Sequence, residues 1–284
     1  MARGSRQKGP LTVRERCRHI FGDEPPVAHV WEPEFDYADE ALKTLALQDW
    51  RAISAHQLRC YYFLNLVYHE PLQPELFRYL FPLCLATWHE ELLIENHCYD
   101  KEDFFRALKR PYLWEQMMDS SQREAVKAFL CEGVLHAIDS EQGFSRHAAW
   151  LDAFNELAGS VAVTGEIWRS WWSVSTPGRA IALLKYASGF IWEGKENPLW
   201  RGFGPDFFRE SWLPENLAFL HSVLTPQLII EGVTDAAEVL RNCNEGLLAE
   251  KIARVAPQRY EIIAIRIDDL FDELARPEPM CWLR

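Results

Sequence analysis

Apolar residues recur along this 284-residue chain with a helical rhythm, and prolines cut that rhythm into lengths. Leu76, Phe77, Leu80, Cys84 and Trp88 follow one another at three- and four-residue spacing behind Pro74. Val126, Phe129, Leu130, Val134, Ala137 and Ile138 do the same behind Ser121. With about 3.6 residues per turn, such spacing gathers the apolar side chains on one side of an α-helix. Proline suits the first helical position, where its missing N–H has no intrahelical partner to lose. Pro74, Pro177, Pro214 and Pro226 each stand at such a start. Ser54 with Gln57, and Ser121 with Glu124, have capping-box spacing. The expectation is an all-α fold, a multi-helix bundle of roughly ten to twelve helices in two packed halves.

Several local features qualify that pattern. Pro82 falls inside the helical stretch that begins at Pro74, so a kink or break is expected there. Residues 161–174 carry no clear period. Thr234 is read as the cap of a separate helix. In 258–275, Ile263, Ile265 and Ile267 alternate like a strand, whereas Tyr260, Ile263, Ile267, Leu270, Phe271 and Leu274 fit a helix face. Length favours the helix. Residues 1–10 read as a flexible basic tail and 139–145 as a boundary, giving an N-terminal helical domain over 11–139 and a Trp-rich helical domain over 140–284.

The net charge is −12, unevenly placed. Residues 1–20 carry +5, which leaves −17 on the rest. A body this acidic repels phosphate backbones and anionic membrane surfaces and suits a basic protein partner. No apolar leader occupies the first 20 residues, and Ala180 to Trp192 is too short to cross a bilayer. A cytoplasmic protein without a membrane partner is expected. The seven cysteines form no C-x-x-C pair, and Cys60, Cys84 and Cys131 fall on apolar faces as small core residues.

Residues 11–138 have a recognisable order. A short amphipathic helix leads into a Pro-rich acidic loop, an acidic helix and the pair Asp49-Trp50. A helix from Leu58 follows, then Pro71-Leu72-Gln73-Pro74-Glu75-Leu76-Phe77-Arg78-Tyr79-Leu80-Phe81-Pro82, and a closing helix from Ser121. On Trp50, Pro74, Phe77, Arg78, Tyr79 and Pro82, this stretch resembles a bacterial helical domain family of unknown function, of the kind seen among toxin–immunity proteins. The resemblance covers slightly under half the chain and brings no catalytic residues. What it implies is a binding role.

Chemistry-bearing motifs are incomplete throughout. His89, Glu90, Glu91 and Glu95 share a stretch, but H-E-x-x-H is absent; Glu132 and His136 are four apart, a spacing that an ion pair uses equally well. There is no G-x-S-x-G elbow and no phosphate loop. Neither a cofactor nor a metal is expected.

The tryptophans stand out, twelve in all, six of them within residues 168–212. Trp168, Trp171 and Trp172 crowd one short helix; core packing is the first expectation for them, and the alternative is that part of this group stands at the surface as interface anchors. Together with the acidic run Glu90, Glu91, Glu95, Asp100, Glu102 and Asp103, they form the expected partner-binding set. The functional expectation is an immunity-type protein that binds a basic toxin domain and neutralises it sterically. The alternative is an enzyme without a linear motif, its pocket in the C-terminal half among Glu166, Arg169, Arg179, Lys185 and Glu193.

Overall fold

The computed structural model describes residues 10–28, 30, 39–61, 73–94, 101–145, 148–199 and 211–275. Among them the fold is all-α, with fourteen α-helices and no strand. The chain divides into two compact units, Met1–Val126 and Lys127–Arg284. The division falls within a helix, α7 below.

The N-terminal unit holds α1 (Val13–Phe21), α2 (Asp39–Leu47), α3 (Ala55–Tyr61), α4 (Pro74–Leu93), α5 (Lys101–Leu108) and α6 (Pro111–Gln116). A reciprocal cap starts α1: Thr12 accepts from the Glu15 N–H at 3.2 Å, and Glu15 accepts from the Thr12 N–H at 2.8 Å. Ser54 and Gln57 make the expected capping box ahead of α3. α4 is the core helix, buried along almost its whole length from Leu76 to His89. Phe77 and Phe81 stack at 4.5 Å between centroids, and Phe21 of α1 meets both edge-on.

Pro82 does not break α4, which runs unbroken from Pro74 to Leu93. Proline has no N–H to give the carbonyl four residues before it, here that of Arg78. Arg18 of α1 supplies donors instead. Its Nη1 donates to the Tyr79 carbonyl at 2.9 Å and reaches that of Arg78 at 3.5 Å, while Nη2 donates to the Glu24 carbonyl at 2.6 Å. The guanidinium also lies against the rings of Trp50 and Tyr79. Arg78 in turn pairs with Glu24 at 2.9 Å, and the Tyr79 hydroxyl donates to the Gln48 carbonyl. The motif residues Trp50, Phe77, Arg78, Tyr79 and Pro82 therefore serve to assemble this unit.

α7 (Ser120–Asp139) starts on a box formed by Asp119 and Gln122, two residues earlier than Ser121 with Glu124. The C-terminal unit continues with α8 (Ala149–Ser160), α9 (Thr164–Trp171), α10 (Pro177–Ile191), α11 (Pro214–Val223), α12 (Pro226–Leu240), α13 (Gly246–Val255) and α14 (Tyr260–Leu274). Thr176 and Thr225 cap α10 and α12 ahead of their prolines, each accepting from the N–H three residues on. Thr234 begins no helix. It lies inside α12 with its hydroxyl turned back onto the Ile230 carbonyl at 2.8 Å. α10 is the buried spine of this unit, packed on α12, α13 and α14. No single helix among the described residues is long and apolar enough to cross a membrane, although α11 and α12, bent by 75°, are so when taken together.

Candidate functional site

The expected partner-binding residues are placed very differently from one another. Glu90 is exposed near the end of α4 and lies 4.0 Å from Arg14. Glu91 is half-buried. Glu95 and Asp100 lie outside the described residues, as do the side chains of Glu102 and Asp103.

Trp168 and Trp171 are buried and Trp172 is half-buried, so the expected aromatic surface is largely an aromatic interior. Spacing by three and four residues puts all three on one face of α9 and its C-terminal turn. Trp168 and Trp172 stack at 4.2 Å, and Trp171 meets both edge-on at 5.6 Å. Trp150 and Phe154 of α8 and Tyr186 of α10 close around them. Gly232 makes the fit possible on α12: a Cβ there would stand 3.0 Å from Trp172 Nε1. Trp168 and Trp171 are thus buried, and Trp172 half-buried, because neighbouring helices leave a space of their shape, which the local sequence does not encode. The buried indole N–H groups of Trp150, Trp171 and Trp172 meet no hydrogen-bond acceptor among the described residues; the surrounding rings offer π faces instead.

Two ion pairs pin the end of α7 and the following turn to α10. Arg179 Nε donates to Asp139 Oδ1 at 2.8 Å and Nη2 to Oδ2 at 3.0 Å, while Nη1 donates to the Ser170 carbonyl at 2.7 Å. Burial alone would raise the Asp139 carboxyl, but hydrogen bonds from Arg179 and Thr176 outweigh it and hold it below the ordinary aspartate range. Lys185 pairs with Glu141, the lysine side chain being 1% exposed. Of the groups considered for catalysis, Lys185 is therefore sealed in the interior. Glu193 is exposed, and Arg169 lies over the Phe219 ring.

An acidic exposed helix face lies on α14. Ile263, Ile267, Leu270 and Leu274 point inward, and Glu261, Ile265, Asp268 and Asp272 repeat the same spacing on the outside. Ile265 is 60% exposed amid these carboxylates, and Tyr260 is exposed at the helix start. The arginine of this helix, Arg266, donates to the Gly189 carbonyl at 3.1 Å. α12, packed on α14, adds exposed Glu231, Asp235 and Glu238. The sequence shows Asp268 to Glu273 as an acidic cluster; that Asp268 and Asp272 share one outer face with Glu261 and the exposed Ile265 follows from the helix and its packing.

No family model, curated protein or solved structure matches this chain. An acidic face with an exposed isoleucine can attract and seat a cationic protein surface. Among the described residues, no group of three or more His, Cys, Asp or Glu side chains is arranged to hold a metal ion.

Proposed function

We propose that this chain is a binding protein of the immunity type, which takes up a basic toxin domain and neutralises it by covering it. The observation that carries this reading is the outer stripe of α14, where Glu261, Asp268 and Asp272 surround the exposed Ile265. Carboxylates so placed steer a cationic partner and set its register, and the apolar side chain supplies contact energy at the centre. The resemblance of residues 11–138 to helical domains of toxin–immunity systems points the same way. With Trp168 and Trp171 buried, the contact energy falls to Ile265 and Tyr260.

The test is capture of the partner from the native host with the tagged full chain at moderate salt, read by mass spectrometry. One stoichiometric basic protein is expected, and co-expression should protect cells from it. Asp268→Lys with Asp272→Lys should slow association at least tenfold while leaving the thermal midpoint unchanged. Capture that is indifferent to this double reversal sinks the α14 assignment, and a clean bait sinks the reading itself.

A second reading, an enzyme with its pocket in the Trp-rich half, draws on one observation: Glu166 and Arg179 line the same cleft. Arg179 is already committed to Asp139 there.

A further inference from the structure

A cleft of about 430 Å³ opens on the C-terminal unit, beneath the end of α7 and the starts of α9 and α10. Ala128 and Leu135 give it an apolar wall, and Cys131, His136, Asp139, Glu166 and Arg179 give it polar groups. Their charges do not balance. Arg179 is closed onto Asp139 by two parallel hydrogen bonds, so that pair is neutral as a whole. Its Nη1 is taken up by the Ser170 carbonyl and, at 3.1 Å, by the Ser175 hydroxyl. Glu166 is exposed and has no ion-pair partner among the described residues.

Burial and the nearby Glu166 carboxylate push the Cys131 thiol up to about 12, so the thiol stays protonated and its S–H donates to Glu166. A thiol in that state is no nucleophile, which counts against cysteine chemistry in the cleft. It stands beside the Glu166 carboxylate, whose other lone pairs are open. Glu132 stands at the same rim.

We propose that this cleft binds the head of an alkylammonium or alkylguanidinium cation on Glu166, with the aliphatic stem lying along Ala128 and Leu135. The site is separate from the α14 stripe and does not depend on the binding role proposed above.

The experiment is a titration of the isotopically labelled full chain with n-butylguanidinium and n-butylammonium, followed by amide chemical shifts, with n-butanol as the uncharged control. Saturable shifts confined to the ends of α7, α9 and α10 are expected, with a Kd on the order of 1 mM for such small, partly solvated cations. Butanol should produce none. Glu166→Gln should weaken binding at least tenfold, and because Glu166 is exposed the variant should keep the spectrum of the folded chain. Ala128→Phe, also at an exposed position, should block the stem and abolish binding with Glu166 intact. Binding that is equal in Glu166→Gln, matched by butanol, or without saturation overturns the proposal. Once the site is established, a captured partner tells the cation's source. Weaker capture by Glu166→Gln assigns the site to a lysine or arginine of that partner, and unchanged capture assigns it to a free small cation.

Discussion

Arg18 stands on the carbonyl of Tyr79 at 2.9 Å, in the turn of α4 that precedes Pro82. A buried arginine from one helix thus supplies hydrogen bonds where a proline in another has removed a donor. Its own burial lowers the Arg18 pKa, and the nearby Tyr79, Asp23 and Glu24 oppose that shift.

This relationship makes Arg18 and Pro82 energetically coupled. Arg18→Met should cost about 3 kcal/mol, since buried carbonyls lose a charged donor. In a Pro82→Ala background the Arg78 carbonyl regains an N–H, and the same change should cost about 1 kcal/mol less. A double-mutant cycle in urea, followed by circular dichroism, measures the coupling. Identical costs in both backgrounds would show the two residues to be independent.

Gly178 sits where α10 begins against the end of α7. A Cβ there would stand 2.4 Å from the Asp139 carbonyl oxygen and 2.7 Å from that of Ile138, and backbone cannot swing aside as a side chain does. Gly178→Ala should therefore lower stability by about 3 kcal/mol, at the upper end for overpacking. Gly194, with nothing within 4 Å of its added Cβ, is the control and should tolerate alanine within about 0.5 kcal/mol. Thermal melts of the two variants decide it.

The buried pair Lys185–Glu141 should behave asymmetrically. Removing one charge, as in Glu141→Gln, strands the other in the interior and should cost about 3 kcal/mol or more. Replacing both, Lys185→Met with Glu141→Leu, should cost clearly less than either single change. Chemical unfolding of the three variants tests this; a double variant as weak as the sum of the singles would contradict it.

Acid should act through Asp139. Its folded pKa lies below the ordinary value of about 3.9, so its stabilising contribution is complete above that value and is lost as pH falls through the lower folded one. The wild type should therefore lose stability more steeply than Asp139→Asn between about pH 5 and pH 2. Unfolding midpoints measured across that window would converge towards the acid end. Parallel curves would remove Asp139 from the account.

Local rules determined much of this protein from sequence. The all-α class followed from spacing, and Pro74, Pro177, Pro214 and Pro226 do begin helices, because a first-turn proline depends only on the few residues around it. The inward face of α14 was legible for the same reason. Two short helices, α6 and α13, escaped because six to ten residues hold too few periods to register. What the tertiary structure decided were relations between residues far apart in the chain. Arg18 carries α4 past Pro82 from 64 positions away, a distance no window spans. The tryptophans of α9 went inside because Trp150, Tyr186 and Gly232 shaped a space for them. Glu166 met Cys131 and came to share a cleft with Arg179 only when three helices packed. Backbone periodicity fixes which side of a helix is apolar; what that side meets is settled by packing across the whole unit.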